Sequence, residues 1–161
     1  VVPSPEPREI LDAEAVSALM DRGFVVVAVG GGGVPVTRAK DGGLSGVEAV
    51  VDKDLAAGLL ARAVRATVLV IATNVPRAVA GFGTAGARPI GRVTAAELRA
   101  LQAAGHFGRG SMGPKAEAAL RFVGNGGSRA VIVSLRDLGP ALTGRAGTVV
   151  VPGETPGESA G

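Results

Sequence analysis

The chain has 161 residues, 47% of them hydrophobic, enough apolar material for the core of one domain. With no cysteine and His106 as the single histidine, it has no residues for disulfide or thiolate chemistry, a zinc cluster or a multi-histidine metal site. The net charge is +3, but the arginines are scattered and there is no Trp or Tyr to stack on bases, so no nucleic-acid partner is expected.

No apolar run approaches the ~20 residues needed to span a bilayer, so no membrane partner is expected. The first residues carry no basic segment followed by an apolar one, which predicts no signal peptide and a cytoplasmic location. Val1 stands where a methionine would, inside a proline-punctuated lead-in, and suggests a start partway into something longer.

In chain order, Pro7 precedes an amphipathic pattern over residues 8–22, with Gly23 as terminator, and predicts a helix. Residues 24–29 form a continuous apolar run and predict a strand covered on both faces. That run empties into Gly30-Gly31-Gly32-Gly33, where the backbone can approach a ligand closely or take positive φ; a flexible turn is the plainer alternative. Residues 37–46 are polar and suit a short hairpin or loop. A helix is expected from Asp52 to Val64, with Asp52 and Asp54 suited to its start. Lys53 is unusual there, because a cation in the first turn opposes the helix dipole.

Residues 67–72 predict a second buried strand, with Thr73-Asn74-Val75-Pro76 just beyond its C-terminal end. In open α/β sheets that rim is where ligands bind, so this turn and the tetraglycine are expected on one edge. Residues 77–93 are irregular with room for an edge hairpin, and Thr94-Ala95-Ala96-Glu97 is a capping box opening a helix to about Ala104. Gly105 through Lys115 reads as a glycine-rich loop emptying into a helix whose first residue is Pro114. Free N–H groups at such a mouth suit an anion, and Lys115 adds a mobile charge. A plain loop-to-helix junction, with Met112 packed beneath it, is the alternative.

Lys53 and Lys115 are two of only three lysines, and both lie at helix starts, where a compact ammonium can follow a moving phosphoryl group. Further strands are expected at residues 129–135 and 147–151, with a short helix at 138–142 between them. The alternation of helices and buried strands argues an α/β domain with a largely parallel sheet. Residues 1–152 are expected to be structured and residues 153–161, without apolar content, to be a disordered tail.

Four stretches carry a resemblance. Val1-Val2-Pro3-Ser4-Pro5, Gly30 through Val36, Gly46 through Asp54, and Gly105 through Lys115 together are similar to carbamate kinase, in the amino-acid kinase superfamily. The resemblance implies the amino-acid kinase fold, a three-layer α/β sandwich, and covers only its C-terminal, nucleotide-binding half. It implies reversible phosphoryl transfer between carbamoyl phosphate and ADP, giving ATP and carbamate. Mg²⁺ would be held mainly through the nucleotide phosphates, with no residue here assigned to metal, and the full-length family is usually a homodimer serving arginine fermentation.

By the same resemblance, Lys53 and Lys115 neutralise the phosphoryl group in flight and Asp54 positions the lysines. Gly30, Gly31, Gly32 and Gly33 line the catalytic centre. Thr73, Asn74 and Val75 border the nucleotide, with Met112, Gly113 and Pro114 at its phosphate mouth. Asn74 stands where the family usually has Asp, and residues 78–83 lack the aromatic often seen before the family's asparagine-phenylalanine-glycine region, which predicts reduced adenine affinity. The N-terminal half would bring a further phosphate loop, a catalytic lysine and most of the carbamate site, so little or no catalysis is expected from these residues alone. Two other readings stand beside this one: a non-catalytic nucleotide-binding remnant or split-protein piece, and a sibling acid kinase such as acetylglutamate kinase.

Overall fold

The computed structural model describes residues 1–108 and 112–153, arranged as two compact units, Val1–Ala66 and Thr67–Gly161. All but the first residue of the tail expected at 153–161 lies outside the described residues.

In the first unit, helix α1 spans Ala13–Asp21 and ends as its sequence predicts: Gly23, at φ +84°, donates to the Met20 carbonyl while Phe24 N–H reaches Leu19. It begins later than residue 8. Ala13 N–H closes a turn on the Ile10 carbonyl, and Asp12 takes the flanking position that Asp tolerates better than a helix interior.

The predicted strand at 24–29 does not form. Phe24 is 60% exposed, Val25 98% and Val27 95%, and the segment pairs with no strand among the described residues. Apolar composition supplies the preference for a sheet, but a strand also needs a partner to take its backbone hydrogen bonds.

Strands β1 (Val36–Arg38) and β2 (Leu44–Gly46) form the antiparallel hairpin allowed for at 37–46, in the register Thr37 to Ser45. Helix α2 covers Lys53–Ala63.

The second unit is built on four strands in the order β3 (Val68–Thr73), β7 (Arg129–Ser134), β8 (Thr148–Val151), β6 (Arg92–Thr94). Two of its pairings, β3 with β7 and β6 with β8, are parallel, and β7 with β8 is antiparallel, so the sheet is mixed and mostly parallel. Its core is the apolar run on β7, where Ala130, Val131, Ile132 and Val133 are fully buried. Helix α3 (Ala95–Ala103), helix α4 (Met112–Gly124) and the short α5 (Leu138–Leu142) complete the layers, with α4 burying Ala116, Ala119, Leu120, Phe122 and Val123. A small hairpin, β4 (Val79–Ala80) with β5 (Arg88–Pro89), sits in the stretch read as irregular.

The base of that hairpin is fastened by Thr148, the one fully buried hydroxyl among the described residues. Its Oγ1 accepts from Ala78 N–H at 2.9 Å and donates to the Ile90 carbonyl at 2.6 Å, while Ile90 N–H reaches the Ala78 carbonyl. This clasp fixes where the chain goes after it leaves β3. Thr148→Val keeps the shape but orphans a buried donor and a buried acceptor, at a cost of about 2–4 kcal/mol. The check is urea unfolding followed by circular dichroism; an unchanged midpoint would show that the clasp contributes nothing.

The capping box forms as expected. Thr94 N–H and Oγ1–H both donate to Glu97 Oε2 at 2.8 Å, and Glu97 N–H donates back to Thr94 Oγ1. The two Thr94 donors hold the Glu97 carboxyl below its ordinary range. The box therefore supports α3 fully above that ordinary range and loses its support as pH falls through the depressed value. A carboxyl-detected NMR titration should find Glu97 ionising at lower pH than in Thr94→Ala; identical midpoints would exclude the cause.

Candidate functional site

The candidate residues fall into two clusters, one in each unit. In the first unit the tetraglycine forms a single 3-10 turn, Gly30–Gly32, followed by Gly33. Gly31, Gly32 and Gly33 all take positive φ, and so does Val29 at +58°, a strained conformation for a β-branched residue. Gly32 is buried, at φ +106°, and a Cβ on it would overlap the Val51 carbonyl oxygen. That close approach seats the turn on the residue just ahead of α2.

Asp52 caps α2: its Oδ1 accepts from Asp54 N–H at 2.8 Å and Leu55 N–H at 3.1 Å. Lys53 is therefore the first helical residue, exposed, with no hydrogen bond or ion pair among the described residues. It stands against the dipole, as anticipated from the sequence, between the acidic residues Asp52 and Asp54. The cap and the Gly32 contact bring Gly30–Gly33, Lys53 and Asp54 to one end of α2.

In the second unit, β3 and β7 run parallel, with Thr73 opposite Ser134 at their C-terminal ends. Helix α4 turns directly into β7 at residues 125–128 and so runs back along it, which puts the start of α4 at the same C-terminal rim. Thr73, Asn74 and Val75 thus share an edge with Met112, Gly113, Pro114 and Lys115. Asn74 is exposed at the tip, and Thr73 Oγ1 lies 3.4 Å from its Oδ1.

Helix α4 starts at Met112, two residues before the expected Pro114. Among the described residues at this mouth, two positions have no N–H to offer an anion. Gly113 N–H is taken by the Gly108 carbonyl at 3.1 Å, and Pro114 has none to give. A Cβ on Gly113 would come 2.9 Å from that same carbonyl, so the glycine is there for a backbone contact. Arg109, Gly110 and Ser111, at the centre of the glycine-rich loop, lie outside the described residues.

Lys115 is 8% exposed, the one buried charged residue among those described. Burial removes much of the rotamer freedom of a lysine. His106 belongs to the turn after α3, its N–H on the Leu101 carbonyl.

Sequence reasoning missed Val51, whose carbonyl seats the tetraglycine, and Thr148, which holds the loop after β3. A buried threonine opening an apolar strand was the one available signal for the second; nothing local marks the first. Among the described residues no three His, Asp or Glu converge on a metal, and no helix is long and apolar enough to cross a membrane.

The profile of the Amino acid kinase family matches residues 2–134, and the chain belongs to that family. Within it, the chain is similar to the carbamate kinases of Thermoplasma volcanium, at 45% identity over 152 residues, and Thermococcus kodakarensis, at 49% over 151. Each match covers 94% of this chain but only 50% and 48% of the relative. A structure of carbamate kinase from Giardia lamblia bound to AMP-PNP superposes with a TM-score of 0.92 at 38% identity, over 95% of this chain and 53% of that one. The chain spans about half the length of the carbamate kinases it matches.

Proposed function

We propose that this chain is the nucleotide-binding half of a carbamate kinase, a phosphotransferase that interconverts carbamoyl phosphate and ADP with ATP and carbamate. The observation that carries the reading is identity of 45–49% sustained over 94% of the chain, with its glycine and lysine motifs in the matched region. Phosphoryl transfer asks for positioning and charge neutralisation more than for a covalent group, and both lysines suit it. Lys115 supplies a fixed ammonium at the rim, and Lys53 a mobile one at the end of α2. Asp54 orients the lysines, and Gly30–Gly33 let the backbone come close to the reacting phosphoryl group. Thr73, Asn74 and Val75 border the nucleotide.

Mg²⁺ fits this donor set through the nucleotide. It keeps several waters and binds phosphate oxygens with few protein ligands, which is compatible with the lack of a carboxylate cluster among the described residues. Its chemistry is to neutralise charge on the phosphates; the protein residues position and exclude.

Two finer statements follow. The chain alone binds MgADP with little or no turnover, and a full enzyme requires the half of the relatives it does not match, with the homodimer and the place in arginine metabolism belonging to that whole. A sibling acid kinase is disfavoured by the level of identity to carbamate kinases. The test is a calorimetric titration of the folded chain with MgADP: saturable heat is expected, and no heat from a folded chain overturns the nucleotide assignment.

A further inference from the structure

The turn that follows β3 is held at its two ends and nowhere between. The last ladder pair of β3 joins Thr73 to Ser134, and the next fixed point is Ala78, whose N–H donates to Thr148 Oγ1 at 2.9 Å. Between them, Asn74, Val75, Pro76 and Arg77 neither donate nor accept a backbone hydrogen bond among the described residues. A segment without bonds of its own opens locally unless its ends are fixed. Its first end is built into the sheet. Its second end depends on one side chain of β8, Thr148, fully buried opposite Ile132.

The two stems of the β4–β5 hairpin are not held equally. On the exit side the Ile90 carbonyl accepts from Thr148 Oγ1 and the Gly91 carbonyl accepts from Val149 N–H, so β8 grips that stem twice. On the entry side Ala78 meets β8 through the Thr148 hydroxyl, and its other bond, from Ile90 N–H to its carbonyl, stays within the hairpin. Ala78 is 1% exposed. Without the hydroxyl its N–H would be buried and unpaired, a cost that drives the segment outward toward water. We propose that Thr148 is a positioning residue for nucleotide binding: through Ala78 N–H its hydroxyl sets the course of residues 74–77 and so keeps Thr73, Asn74 and Val75 at the nucleotide. Being fully buried, it acts without touching the ligand. This role rests on the reading of those three residues as the border of the nucleotide. A turn freed at one end is competent only part of the time, and apparent affinity falls by that fraction.

The experiment is a calorimetric titration of the full chain with MgADP in three forms: wild type, Thr148→Val and Thr148→Ser. It is run at a temperature where circular dichroism shows the proteins folded. Valine keeps the shape and loses the hydroxyl; serine keeps the hydroxyl and loses a buried methyl, so its urea midpoint falls too. Thr148→Val is expected to bind about tenfold more weakly, and Thr148→Ser to stay within about twofold of wild type. Stability lost in both variants with affinity lost in one separates positioning from packing. The wild type supplies a second readout that needs no variant to fold. Saturating MgADP should slow amide exchange at Ala78 by a larger factor than at the buried β7 amides, because a ligand that needs the clasp closed also closes it. Equal affinity of wild type and Thr148→Val, an equal loss in both variants, or slowing at Ala78 no greater than in β7 would each overturn the role of Thr148 alone. No heat from the folded wild type is a different result, which overturns the nucleotide reading and this role with it.

Discussion

Lys115→Ala is expected to weaken MgADP binding to the chain by about 10- to 100-fold, the range for losing one hydrogen bond to a charged group. In an assembled, active enzyme the same change should lower turnover by ~10²–10³, as removal of a single electrostatic donor commonly does. The effect is expected to be large because Lys115 is 8% exposed, so its side chain has little freedom left to lose. A group that does not reorganise during the reaction is worth more than one recruited from solvent. Lys115→Met keeps the volume of the side chain and separates lost charge from a packing defect. Lys115→Arg keeps the charge but changes its shape, and should not restore the rate. Near-normal binding and turnover in the alanine and methionine variants would remove Lys115 from the site.

Gly32→Ala is the second large effect. At φ +106° an L-residue is strained, and its Cβ would overlap the Val51 carbonyl oxygen, a backbone atom that cannot rotate away. Strain and overpacking together should cost about 2–5 kcal/mol, borne by the turn and the start of α2. Gly30→Ala is the control, because a Cβ there meets nothing within 4 Å and its φ is not positive. Circular dichroism is the appropriate probe, since the chain has no Trp or Tyr to report by fluorescence. Equal stability of the two variants would mean that the close approach to Val51 does not hold the turn.

Those two residues also mark how far the sequence could be read. Local chemistry was legible wherever it was complete within a few residues. The Thr94–Glu97 box, the Asp52 cap, the Gly23 terminator and the buried runs that became β3 and β7 all lie where their sequences put them. Three failures share a cause, because each depended on what a segment meets.

The run at 24–29 has strand composition without a partner. The three-residue β6 is too short to show a period and exists because β8 pairs with it. The antiparallel direction of β8 was unreadable because the connection over residues 135–147 is long enough to return in either sense. In the candidate site, Gly113 makes a contact the sequence did not show, its N–H and its missing Cβ both facing the Gly108 carbonyl.

The engagement of Gly113 N–H at the start of α4 has one more consequence. With Gly113 N–H engaged and Pro114 lacking one, two of the backbone dipoles that would otherwise greet an anion there are withdrawn, and recognition shifts toward full charges. Full charges answer to ionic strength according to their exposure. An anion held by the exposed Lys53 would be screened within a Debye length of about 8 Å at physiological salt, whereas one held by the buried Lys115 would be screened far less. The two lysines would then differ in salt sensitivity, strong for an anion at the exposed one and weak for an anion at the buried one.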